Sequence, residues 1–211
     1  MITGAGSRSV RETAAWNRRR TAFALFSRVA GRLSARVHAP PAPQERTNIM
    51  PISVGEKIPA GIQLMQATEG GPKPVKTDEL FSGKTVVVFA VPGAFTPSCS
   101  AQHLPGFVQH ADDILAKGVD AIACVSVNDA FVMGAWGQSS GVGEKIMMLG
   151  DGNGDFVKAL DLVLDASGFG MGTRANRFSM IVKDGVVEKL NVESNPSAVE
   201  ASSAQTVLGQ L

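Results

Sequence analysis

The chemistry in this sequence concentrates around one cysteine. Residues 91–107 read VPGAFTPSCSAQHLPGF: an apolar run ends at Val91, a turn follows, and Thr96-Pro97-Ser98-Cys99 opens a helix. Threonine is a good N-cap and proline is favoured at the first helical position. Cys99 therefore falls in the first turn, where unpaired backbone N–H groups and the positive end of the helix dipole favour a thiolate over a thiol. The thiolate is the nucleophilic form of cysteine. In an open α/β sheet, the carboxyl end of a strand is also where ligand crevices form. A single cysteine in an apolar protein is more often inert core, but the Thr-Pro cap directly before Cys99 favours the reactive reading.

Fewer residues can assist it. His103 lies four positions beyond Cys99, and it either faces the thiol as a base or packs and hydrogen-bonds locally. Arg174 and Arg177 are the only arginines after residue 49, and Arg177 opens a strand after the Gly-rich turn GFGMGTR. A fixed cation there can hold a thiolate and polarise a bound oxygen, or simply form a surface ion pair. Cys124, 25 residues after Cys99, lies within AIACVSV, a strand covered on both faces, which favours a core role. A disulfide between the two needs Cα atoms within about 7 Å, and so partial unwinding of the Cys99 helix. His38 and His110 complete the histidines, with no H-x-x-x-H or C-x-x-C spacing for a metal. The glycines of residues 150–154 (GDGNG) lack the strand-Gly-helix context of a dinucleotide site, and no phosphate-loop motif is present.

These residues must be held by alternating strands and helices. Residues 85–91 (TVVVFAV) and 119–127 (VDAIACVSV) are continuous apolar runs, as expected of strands buried on both faces, and 145–149 (KIMML) is a third. Helices are expected over 100–117, kinked or interrupted at Pro105-Gly106, from Asn128-Asp129 through Trp136, over 155–164 and over 198–211. Residues 177–183 and 186–192 flank Asp184-Gly185, a strong hairpin signal. The expected fold is α/β and thioredoxin-like, a central mixed sheet flanked by helices.

Charge divides the chain in two. Residues 1–49 carry nine arginines, no lysine and two acidic residues; the remainder carries eleven basic residues against seventeen acidic ones. Within residues 21–37, Arg28, Arg32 and Arg36 share one helical face and apolar residues the other, the composition of an organelle presequence. Residues 39–43 (APPAP) suit a stiff linker. The expected organisation is a targeting presequence and linker over 1–49 and one domain over 50–211, with Met50 as an alternative start that yields a leaderless form. The acidic body argues against nucleic acid as a partner, and no apolar stretch approaches the roughly 18–20 residues of a membrane helix.

The segment PGAFTPSCSAQHLPGF resembles the active-site segment of type II peroxiredoxins, the subfamily that includes peroxiredoxin-5. The similarity runs from Met50 to the C-terminus and includes SVNDAFVMGAW (residues 126–136) and GTRANRFSMIVKDG (residues 172–185). It implies that Cys99 is the peroxidatic cysteine, that Thr96 supplies a hydroxyl to thiolate and peroxide, that Pro92 shields the pocket, and that Arg177 is the active-site arginine. The C-terminal segment lacks the second cysteine found there in mammalian peroxiredoxin-5; Cys124 instead matches the second cysteine of plant-like members, a possible resolving residue. The implied activity is reduction of hydrogen peroxide and organic hydroperoxides through a cysteine sulfenic acid, recycled by thioredoxin or by glutaredoxin and glutathione. It implies no metal, haem or flavin, and a homodimer. A non-catalytic redox sensor needs Cys99 without turnover, and a thioredoxin-type disulfide oxidoreductase wants a C-x-x-C that is missing. The leader suggests the mitochondrion or a plastid. A leaderless form would be cytosolic, or peroxisomal if Gly209-Gln210-Leu211 served as an address despite its missing central basic residue.

Overall fold

The computed structural model describes residues 50–211, and the leader and linker expected over 1–49 lie outside the described residues. Nine strands are described: β1 (Gln63–Thr68), β2 (Gly71–Lys76), β3 (Thr85–Ala90), β4 (Ala121–Ser126), β5 (Ile146–Gly150), β6 (Val163–Asp165), β7 (Thr173–Ala175), β8 (Phe178–Lys183) and β9 (Val186–Val192). Five α-helices accompany them: α1 (Thr77–Phe81), α2 (Leu104–Ala116), α3 (Ala130–Ser139), α4 (Asp155–Ala159) and α5 (Ala204–Gln210). The main sheet has the order β2-β1-β5-β4-β3-β8-β9, and β6 with β7 forms a separate ribbon. The central β3-β4-β5 ladder is parallel, while β1 and β8 join it antiparallel, so the sheet is mixed.

Side-chain alternation splits the apolar core into two layers. Val86 and Val88 of β3 face Leu80, Phe156 and Met180 on one side. Val87 and Phe89 face Phe107 of α2, Trp136 of α3 and Val207 of α5 on the other. Cys99 and Cys124 both belong to this second layer. Phe89 and Phe107 stack with centroids 3.9 Å apart, anchoring α2 on the sheet.

The hairpin turn takes the expected form: Asp184 and Gly185 have φ values of 47° and 78°, matching a two-residue turn that needs positive φ at both positions. Two expectations are corrected. The helix over 155–164 stops at Ala159, because Asp161 turns left-handed (φ 51°) and residues 163–165 leave as a strand. The closing helix spans only Ala204–Gln210, capped by the Ser203 hydroxyl accepting from Thr206 N–H, and a loop fills the space before it. Of the two alternatives at Pro105-Gly106, the structure shows the interruption and not a kink within α2. Pro105 sits at the helix start, preceded by a π turn over Cys99–His103, in which Leu104 N–H donates to the Cys99 carbonyl. An α-helical path would press the proline ring on the Ala101 carbonyl, and the wider turn relieves that clash.

The β1–β2 hairpin has no counterpart among the sequence expectations. Pro72 and Pro74 cannot donate to a ladder on both sides, and they are tolerated because β2 is the sheet edge. No helix among the described residues is long and apolar enough to cross a membrane.

Candidate active site

Where β3 ends, the chain crosses the top of the sheet before entering the Cys99 turn, and β4 holds that crossing in place. Ser126 Oγ lies 3.1 Å from the Val91 carbonyl and 2.8 Å from Asn128 Oδ1, which in turn accepts from Ala94 N–H at 3.0 Å. Phe95 then takes a left-handed conformation (φ 61°) that redirects the backbone into the helix at Pro97. Ser100 N–H donates to the Thr96 carbonyl at 3.0 Å, closing the first turn. The Thr96 hydroxyl is not the N-cap the sequence suggests: it donates to the Gly93 carbonyl at 2.9 Å. The turn through Phe95 places it there, and its oxygen keeps lone pairs for a further donor.

Cys99 is 0% exposed, and Arg177 Nη2 donates to its Sγ at 3.3 Å. Arg177, directly before β8 and 2% exposed, spends its other nitrogens on protein acceptors. Its Nε donates to the Pro196 carbonyl at 2.9 Å, and its Nη1 donates to His103 Nδ1 at 3.0 Å. His103 Nε2 lies 3.0 Å from the Ser202 carbonyl. A carbonyl only accepts and a guanidinium only donates, so the imidazole carries its proton on Nε2 and offers a lone pair at Nδ1. Burial lowers the His103 pKa to about 4; the Ser202 carbonyl opposes this, the nearby Arg177 charge adds to it, and Glu193 opposes it weakly. His103 is thus a neutral, fully engaged side chain that orients the arginine, and the reading of it as a base for Cys99 is corrected.

The structure separates the two arginines that the sequence left open. Arg174 donates from Nε to the Met171 carbonyl and from Nη1 to the Val127 carbonyl, bracing the Gly-rich loop against the β4–α3 turn. Arg177 alone reaches sulfur. Beside it a pocket of about 350 Å³ is lined by Pro92, Thr96, Pro97, Arg177 and, from the β6–β7 ribbon and neighbouring loops, Leu164, Phe169, Met171 and Pro196. It is apolar on one wall and has the guanidinium on another, which suits a small polar head carrying an apolar tail. Cys124, 0% exposed and opposite Phe89 in the β3–β4 ladder, lies in the apolar layer; burial, with a smaller effect of the Cys99 charge, pushes its thiol up. Neither cysteine is in a disulfide. Among the described residues no cluster of histidine, cysteine or acidic side chains could hold a metal ion.

Ser126, Asn128 and Ser202 escaped the sequence reading as site residues. The first two lie in SVND, directly after a buried strand, where polar residues at a strand's carboxyl end are the available signal.

The Redoxin family matches residues 53–208. Peroxiredoxin-2E-2, chloroplastic, of Oryza sativa subsp. japonica is 47% identical over 169 residues, covering 78% of this chain and 75% of its own. The chain belongs to the Redoxin family and is a type II peroxiredoxin. Peroxiredoxin-2F, mitochondrial, of Arabidopsis thaliana is 43% identical to this peroxiredoxin over 133 residues, 63% of this chain and 66% of its own. Reduced Prx3 of Vibrio vulnificus, crystallised in complex with hydrogen peroxide, shares 52% identity and a TM-score of 0.71 over 75% of this chain and 98% of that one. Peroxiredoxin membership makes the protein a thiol peroxidase with the thioredoxin-like fold expected from its sequence.

Proposed function

We propose that Cys99 carries out the peroxidase reaction, with Arg177, Thr96 and Pro92 forming its pocket. The observation that supports this most is the 3.3 Å contact from Arg177 Nη2 to Cys99 Sγ, made by an arginine that itself lines the pocket. The thiolate attacks the terminal oxygen of a hydroperoxide in line; the O–O bond breaks as the S–O bond forms, and the departing hydroxide or alkoxide takes a proton to leave as water or alcohol. Sulfur is oxidised to a sulfenic acid and the peroxide is reduced. Arg177 favours the thiolate before attack and the developing negative oxygen during it. The Thr96 oxygen, its own proton committed to Gly93, accepts from the hydroperoxide O–H and so turns it. Pro92, buried at the pocket wall, keeps water from the sulfur.

Regeneration consumes an external dithiol or glutathione. Cys124 is read as a core residue, because its fully buried strand position would require the Cys99 turn to unwind before a disulfide formed. Hydrogen peroxide and alkyl hydroperoxides are the substrates, and thioredoxin or glutaredoxin with glutathione the reductant. The exposed Phe95, Phe131 and Phe169 supply apolar surface for a homodimer. The Arg-rich residues 1–49 direct the protein to an organelle, with the mitochondrion favoured; the names of the rice and Arabidopsis relatives point to chloroplast and mitochondrion for those proteins.

Peroxide consumption coupled to NADPH, first with a thioredoxin system and then with glutaredoxin and glutathione, tests the activity and identifies the reductant. Turnover with either supports the proposal. Stoichiometric oxidation without turnover in both would make the protein a redox sensor.

A further inference from the structure

Two of the three Arg177 nitrogens depend on one irregular segment. Residues 194–203 join β9 to α5 without helix or strand, and most of them are exposed. This loop nevertheless supplies the Pro196 carbonyl to Arg177 Nε and the Ser202 carbonyl to His103, which holds Arg177 Nη1. Something must keep an exposed loop in register with a buried guanidinium.

Glu193, the residue after β9, is placed to do so. Its N–H donates to the Arg177 carbonyl at 2.9 Å, tying it to the arginine's own backbone. One of its carboxylate oxygens, Oε1, accepts three hydrogen bonds from the far side of the loop: Glu200 N–H at 2.7 Å, Ser202 N–H at 2.8 Å and Ser202 Oγ at 2.8 Å. Although partial burial pushes the carboxyl up, these donors outweigh it and hold Glu193 below its ordinary value. Other side-chain bonds in the loop span shorter stretches, such as Asn195 Oδ1 to Ser197 N–H. A contiguous chain therefore runs from Glu193 through Ser202, His103 and Arg177 to Cys99, with links of 2.8, 3.0, 3.0 and 3.3 Å.

We propose that Glu193 is a positioning residue of the peroxidase reaction: its carboxylate folds the 194–203 loop into the bracket that aims Arg177 at the Cys99 thiolate. This rests on the role given to Arg177 above. Glu193 touches neither sulfur nor peroxide, so its effect must pass through the arginine. A carboxylate is suited to the task because one oxygen can accept several converging donors, and a glutamine carbonyl can take part of the set. Aspartate is one methylene too short.

The test is single-turnover oxidation of the reduced full chain by hydrogen peroxide. Glu193→Ala should slow sulfenate formation about tenfold, short of the ~100-fold cost of a full ~1 Å misplacement of a catalytic group. Glu193→Gln should recover most of the rate. On an Arg177→Ala background, Glu193→Ala should add nothing, since coupled residues are non-additive. A folded Glu193→Ala protein with the parent's rate overturns the proposal, as does an equal further slowing on the Arg177→Ala background. Should Glu193→Ala fail to fold, Glu193→Asp provides the same readouts, and a parent-like rate there also overturns it. If Arg177→Ala itself reacts at the parent rate, the role of Arg177 fails first.

Discussion

Replacing Arg177 with lysine keeps the positive charge and removes the fork, and the structure says what that costs. Arg177 serves three acceptors at once: Cys99 Sγ at 3.3 Å, His103 Nδ1 at 3.0 Å and the Pro196 carbonyl at 2.9 Å. A lysine has one ammonium and cannot serve all three. The Pro196 residue is exposed, so water can replace the lost donor there, but His103 is 1% exposed and its Nδ1 would be stranded. An unsatisfied buried acceptor costs about 1–3 kcal/mol, and a hydrogen bond to a charged group is worth about 1.5–3 kcal/mol. The ammonium therefore either stays on sulfur and leaves His103 unpaired, lowering stability, or turns to His103 and leaves the thiolate. At about 1.4 kcal/mol per tenfold in rate, the second outcome slows peroxide reduction by about 10–100-fold. Arg177→Ala, which loses charge and geometry together, should slow it by about 10²–10³-fold, as for other preorganised donors. Stopped-flow oxidation of the reduced protein and urea unfolding, run on both variants, measure the two effects. An Arg177→Lys protein matching the parent in both rate and stability would refute the geometric argument, and an Arg177→Ala protein at the parent rate would remove the arginine from the reaction.

His103 has a folded pKa of about 4 against an unfolded value near 6.5, so below pH ~6.5 the unfolded chain binds the extra proton first. Stability should be full above that pH and fall by up to about 3 kcal/mol as pH drops toward 4; urea unfolding of the parent and of His103→Gln, which cannot titrate, should show a flatter profile in the variant. Gly150→Ala would place a Cβ 2.7 Å from the Asn128 carbonyl and 2.8 Å from Ala130 N. The cost should be about 1–3 kcal/mol in thermal or urea unfolding, with a slower peroxide reaction, because the displaced turn carries the Asn128 contact to Ala94. Cys124→Ser puts a hydroxyl into an apolar layer, at about 1–3 kcal/mol, and should leave both the first oxidation and recycling by thioredoxin intact. Loss of thioredoxin turnover alone, with glutaredoxin turnover kept, would instead make Cys124 the resolving cysteine.

How much of this was legible depended on how locally each feature is encoded. β3, β4 and the β8–β9 hairpin could be read because double-sided burial demands unbroken apolar runs and the Asp184-Gly185 turn demands positive φ. Cys99 could be read from the residues just before it, although for a partly wrong reason: Pro97 starts the helix as expected, but the Thr96 hydroxyl turns back to Gly93. The end of α4 was missed because apolar residues 156–164 suit either helix or strand, and left-handed Asp161 decides between them. β2 was missed because its prolines read as loop, which only an edge position excuses. His103 was ambiguous because its partners come from positions 177 and 202, and no spacing rule reports a contact across 74 or 99 residues. The same holds for Ser126 and Asn128, whose task is to hold a loop some 35 residues earlier in the chain.

The claim at the centre of this account is that Cys99, and not Cys124, takes oxygen from the peroxide. Peptide mass analysis of the reduced protein after one equivalent of hydrogen peroxide, with a sulfenate-trapping dione present, tests it directly. The account predicts the trapped adduct on Cys99 and an unmodified Cys124. An adduct on Cys124 with Cys99 untouched, or peroxide consumed with neither cysteine modified, would contradict it.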